Sequence, residues 1–262
     1  MTDNAREPDP GYALSEAEQA LIEALPFQRH VVPGDRVFAA WEQLRVASDG
    51  YPIIVGDDES VSRLAEGFFA FDGREAGEIL AAATVLQMPE AMAARRRQEH
   101  DEAVAYLRSV GAETGWEAME EPPTGDWPEH LTELAQDGPF LAIDVLAQRP
   151  LERAHILVVP AASGAEVPAY LRYGAWNECP RPEFHVAMLR SWQERYGAEL
   201  ISMGADTVEL RVKRRPGSRE EALALAREHY SYCSDTVDQG TGDLAALAAN
   251  LMASDWWFFW WD

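Results

Sequence analysis

The chain has 262 residues, with 45 acidic side chains against 22 basic ones and a formal net charge of −23. Phosphate-binding surfaces need Lys and Arg gathered on one face, so this balance argues against a general binder of nucleic acid or of anionic membrane. Apolar residues (47%) suffice for a sizeable core, no apolar run approaches a membrane span, and two cysteines cannot build a disulfide framework.

Residues 1–12 read as a disordered lead, polar and acidic, without the basic and apolar regions of a secretory signal. The expected compartment is the cytoplasm, with Cys179 and Cys233 reduced. Ser15-Glu16-Ala17-Glu18 is a capping box that opens a helix. Pro33-Gly34-Asp35 starts a second helix, with Val37, Phe38, Trp41 and Leu44 at helical spacing. Tyr51–Gly56 predicts a short buried strand, and Asp57 or Asp58 caps the helix after it. Residues 74–110 are mostly helical with an interruption at Pro89. The run Arg95-Arg96-Arg97 reads as an exposed turn pairing with Glu at i±4. Residues 111–138 are broken repeatedly by Gly and Pro, yet Trp116 and Trp127 suggest parts pinned to the core.

The pattern then changes. Phe140–Leu146 and His155–Pro160 read as two strands, joined as a hairpin through Arg149-Pro150. Residues 182–196 form a helix ended by Gly197. Leu200–Met203 and Thr207–Val212 are strands around a Gly204-Ala205-Asp206 turn; the second alternates, which predicts one wet face. Ser218-Arg219-Glu220-Glu221 is a second capping box, and Asp243 caps a last helix. Trp256-Trp257-Phe258-Phe259-Trp260-Trp261 reads as a strand apolar on both faces, hence an interior one under a helical layer. Burying each such ring stabilises by about 2–3 kcal/mol. A wholly exposed ladder would instead bind carbohydrate, a base or a protein. At the terminus, Asp262 is expected to pair with an Arg such as Arg211 or Arg214, the alternative being a bound cation. The fold class is α+β: a mainly helical region (13–138, one short strand) packs on a C-terminal mixed sheet flanked by helices (139–262).

Three segments of the C-terminal half gather polar and reactive residues: Tyr173–Pro180, His229–Asp235 and Asp238–Gly242. They supply the candidate site residues Trp176, Asn177, Cys179, His229, Cys233, Asp235, Asp238 and Gln239. A zinc reading uses Cys179, His229 and Cys233, with Asp235 or His185 as fourth ligand, although no CxxC pair is present. A nucleophile reading takes Cys179 or Cys233 as thiolate, His229 or His185 as base, and Asp235 or Asp238 as orienter. The structural reading makes the cysteines small buried hydrophobes and Asn177, Asp235 and Asp238 caps or turns; it leaves no firm metal or cofactor.

The segments Tyr173–Pro180, Trp192–Glu199, Glu228–Gly240 and the terminal Trp-Phe-Phe-Trp-Trp-Asp together resemble the bacterial domain of unknown function 4253 family. The resemblance covers about residues 165–262, and a looser one runs through Trp41 to Pro52. It implies a bacterial protein, with the Cys179 and His229–Gly240 segments in the family pattern. It implies no activity, ligand or catalytic residue.

Charge is uneven: residues 1–138 hold 28 acids and 10 bases, residues 139–262 hold 17 and 12. Such a surface keeps a protein soluble and can also steer a basic partner. The reading taken forward is a non-enzymatic acidic interaction module, for example an antidote to a basic protein. The alternative is a small-molecule enzyme or zinc protein at Cys179, His229, Cys233 and Asp238. A further alternative is a ligand platform at Tyr173 and Trp176.

Overall fold

Ser15 opens α1 (Glu16–Ala24) with both halves of its capping box: its hydroxyl accepts from the Glu18 amide, and its own amide donates to the Glu18 carboxylate at 2.7 Å. The computed structural model describes residues 13–71, 73–112, 121–129 and 138–261. After α1 come β1 (Gln28–Val32), α2 (Gly34–Ala47) and β2 (Tyr51–Gly56). Gly34 is required where α2 begins, because a Cβ there would lie 2.6 Å from both the Ala142 oxygen and the Leu151 nitrogen. Asp57 caps α3 (Asp58–Ala70) by accepting from the Ser60 amide at 2.9 Å. Two further helices follow, α4 (Ala76–Ala83) and α5 (Glu90–Ser109), with Pro89 at the break between them.

The C-terminal half begins with a two-residue ribbon, β3 (Ile143–Asp144) and β4 (Arg149–Pro150). Then come β5 (Ala154–Val159), α6 (Val167–Leu171), α7 (Pro182–Tyr196), β6 (Glu199–Met203) and β7 (Thr207–Arg211). The chain ends with α8 (Arg219–Tyr232), a π-helical turn (Thr236–Thr241), α9 (Leu244–Ala253) and β8 (Trp256–Trp260). Gly197 ends α7 in the left-handed region at φ 61°, as expected.

The main sheet runs β1-β5-β2-β6-β7-β8, antiparallel except for the β2–β6 pair. The fold is α+β, with helices on a mixed six-stranded sheet. Its fully buried strand β2 comes from the N-terminal half and lies between β5 and β6 from the C-terminal half. Among the described residues no helix is long and apolar enough to cross a membrane.

Four expectations are corrected. First, β1 is a strand where the sequence shows no strand signal; Gln28–Val32 pairs with β5 alone, in register Gln28 to Val158. Second, Phe140–Leu146 is not a strand paired with His155–Pro160; only Ile143–Asp144 is strand, and it pairs with Arg149–Pro150. Phe140–Ala142 is a 3-10 turn, and β5 pairs with β1 and β2 instead. The cause is Glu209, whose carboxylate accepts from the Phe140 and Leu141 amides at 2.6 and 3.2 Å and so takes those donors out of any ladder. Third, Glu209 itself is not on a wet face: it is 0% exposed and also accepts from the Ser202 hydroxyl. A buried carboxylate is tolerated because hydrogen-bond donors such as these satisfy it. Fourth, β8 is an edge strand, not an interior one.

Trp127 is pinned as expected. The carbonyls of Pro123 and Thr124 accept from the first two amides of α9, each at 2.9 Å, and Arg219 stacks 4.5 Å from the Trp127 ring. Trp116, residues 1–12 and Asp262 lie outside the described residues. Arg211 pairs with Asp255 and Arg214 with Glu221.

Candidate functional site

The loop between α6 and α7 turns tightly enough to bury a cysteine. Arg172, Gly174, Ala175 and Asn177 all have positive φ, and the Ala175 amide closes the loop on the Pro180 carbonyl at 3.0 Å. Gly174 is obligatory here: a Cβ would lie 1.9 Å from the Pro180 oxygen and 2.8 Å from His185 Nε2. Beneath the loop, Cys179 Sγ lies 3.5 Å from His185 Nε2. His185 sits on the inner face of α7, and its Nδ1 lies 2.6 Å from the Tyr232 hydroxyl at the end of α8. Tyr173 and Trp261 pack edge-on against the same imidazole.

All of these groups are neutral at pH 7. Burial, reinforced by the Arg95 charge, pushes His185 down to about 3. Burial pushes the Cys179 thiol well above its ordinary value, and neighbouring Cys233 adds to the rise. Tyr173 and Tyr232 are likewise raised, chiefly by burial. Cys179 is only 2% exposed. It is a thiol beside a neutral imidazole, not a thiolate–imidazolium pair.

The other candidates go elsewhere. His229 lies in a cage of rings, 4.6 Å from Trp257 and 4.8 Å from Trp192 and Phe259. Its Nε2 is buried without a partner, and burial pushes its pKa down to about 3. The Cys233 thiol donates to the Trp260 carbonyl, and burial raises it to about 12. Asp235 accepts from Gln239 at 2.9 Å. Asp238 lies 3.4 Å from the Tyr230 hydroxyl, its pKa raised by burial. Trp176 is half-buried against Tyr173, and Asn177 is exposed at φ 43°. The structure thus joins Cys179 to His185, one of the two bases expected for it, while Tyr232 occupies the orienting place expected of an aspartate. The expected metal grouping of Cys179, His229 and Cys233 is not formed: among the described residues no three His, Cys, Asp or Glu side chains are placed to hold a metal ion.

The arginine run does more than pair with its own helix. Arg95 makes the expected i,i+4 pair with Glu99 at 2.9 Å. It also donates to the Glu178 carbonyl at 2.8 Å, while Arg96 donates to the Tyr230 carbonyl at 2.9 Å and stacks 3.9 Å from the Tyr230 ring. α5 therefore ties the Cys179 loop to the last turn of α8.

Sequence reasoning missed a concavity at the end of β7 and β8. A cavity of about 310 Å³ is lined by Asp206, Thr207, Phe258, Trp260 and Trp261. The Phe258 and Trp260 rings stack with centroids 5.5 Å apart. The Trp261 amide donates to the Asp206 carbonyl at 3.0 Å, closing the β7–β8 end of the sheet. The alternation of the terminal aromatics is the signal that places Trp256, Phe258 and Trp260 on one side; near Phe258 that side is met by Phe140 of a 3-10 turn, and Phe258 and Trp260 stay half-buried.

Residues 155–262, from β5 to the end of the chain, match the family model described as a domain of unknown function (DUF4253). The match includes the Cys179 loop, α7, α8 and β8. Comparison with curated proteins and with solved structures returns no match.

Proposed function

We propose that this chain is a non-enzymatic acidic binding module that engages a basic partner protein. The observation that carries this reading is the opposite placement of its chemistry and its charge. Cys179, His185, His229 and Cys233 are buried and neutral. Glu16 and Glu23 on α1, and Glu59 and Glu66 on α3, are exposed and have no ion-pair partner among the described residues. Each pair is two helical turns apart, so each helix carries its pair on one stripe. The two helices pack against each other. Unpaired carboxylates attract a cationic partner and raise its association rate, an effect that falls with salt. The enzyme alternative calls for a thiolate and an open base, and burial weighs against both.

The test is affinity capture at low salt, with a variant in which Glu16, Glu23, Glu59 and Glu66 are all changed to Gln. The expected result is a stoichiometric basic protein released by raised salt. Its association with the fourfold variant should be slower by about tenfold. No retained protein, or equal association with the variant, would overturn the reading.

A further inference from the structure

We infer that the cavity at the end of β7 and β8 is a site for a small, flat organic cation, such as an aromatic amidine or a ring-bearing amine. This inference does not depend on a protein partner, and none of its lining residues lies on the acidic helices, although Arg63, which pairs with Asp206, is on α3. Phe258 and Trp260 are the two half-buried rings of a strand whose other aromatics are buried. Their stacked arrangement forms one wall, and an aromatic face attracts a cation through its quadrupole.

The polar lining favours the same class. Asp206 lines the cavity, and its carboxylate pairs at 3.0 Å with Arg63. The Arg63 side chain is 53% exposed against 35% for Asp206, so a ligand cation can take its place at little cost. The volume is at the low end for ligand cavities, about 300–1,000 Å³, which suits one or two fused rings. A chain of net charge −23 enriches cations near such a site and repels anions of equal shape.

The probes are benzamidine, benzyl alcohol and benzoate, which share a ring and differ in charge. They would be titrated into the full-length protein while the indole N–H signals of Trp260 and Trp261 are followed by NMR, with Trp260→Phe providing the assignment. Benzamidine should move these signals saturably and more strongly than either of the others. Asp206→Asn, nearly isosteric, should weaken benzamidine by about tenfold or more. Trp260→Ala should remove the binding, with the signals of buried residues unchanged as the folding control. The inference is overturned if benzamidine gives no saturable shift, if benzyl alcohol or benzoate binds as well, or if Asp206→Asn binds equally.

Discussion

The two faces of β8 carry the same kinds of residue and meet different surroundings. Trp257, Phe259 and Trp261 face α7 and α8. Phe259 stacks on Trp192 at 5.4 Å and meets Tyr232 and His229, and none of the three is more than 3% exposed. On the other side, Trp256 meets Phe38 and Phe258 meets Phe140, the latter in a 3-10 turn and not a helix layer. There Phe258 and Trp260 stay half-buried and line a cavity. An aromatic sequence therefore does not by itself decide between core and surface. What packs on each face decides it, independently of whether the strand has one neighbour or two.

The comparison can be broken by single substitutions read by chemical denaturation. Phe259→Ala should cost about 4 kcal/mol, the range for removing a fully packed aromatic ring. Phe258→Ala, on the half-open side, should cost about 1–2 kcal/mol, because part of that ring already meets water. Equal costs would mean that the two faces are equally packed.

Acid sharpens the difference from the sealed side. His185 and His229 are both held down to about 3 in the folded protein and return to about 6.5 on unfolding. The unfolded chain then binds more protons between those values, so stability is lost as pH falls from about 6.5 toward 3. From pH 8 to pH 5 each histidine should cost about 2 kcal/mol. His229→Phe suits the ring cage and removes the unpartnered Nε2, so its denaturation midpoint should lose less on acidification than that of the wild type. Parallel loss in both proteins would show that His229 is not buried neutral.

The smallest effect should come from a cap. Asp243 accepts from the Ala246 amide at 2.8 Å at the start of α9, the helix that leads into β8. Asp243→Ala should cost about 1 kcal/mol and leave both faces of β8 in place. A loss of the cavity's probe binding in this variant would instead tie the open face to α9.

Local signals in the sequence carry through to the structure. Ser15, Asp57, Ser218 and Asp243 all act as caps, because a cap is decided within four residues. The Ser218 box is only half formed: Ser218 accepts from the Glu221 amide, but the Glu221 carboxylate turns to the Gly217 amide. The misses are all long-range. β1 has little apolar pattern because it is an edge strand held by β5 alone. Glu209 looked solvent-facing because the amides that bury it lie 68 and 69 residues away. The order of strands around β8 depends on pairing partners that alternation does not encode. For the same reason the sequence held the types Cys, His and Asp for a site but not which pair meets. Cys179 and His185 converge through the strained loop at Gly174, while His229, only four residues from Cys233, is drawn into packing by Trp192, Trp257 and Phe259.

The most direct test of the claim that this interior is packing and not machinery is the reactivity of its two thiols. Folded protein would be treated with a thiol-specific reagent across pH 6 to 9 and mapped by mass spectrometry, with a denatured sample as the full-labelling reference. Buried, neutral thiols predict that Cys179 and Cys233 both stay unlabelled until the protein unfolds. Rapid, stoichiometric labelling of Cys179 in the folded protein near pH 6 would reveal an accessible thiolate and contradict a non-enzymatic reading.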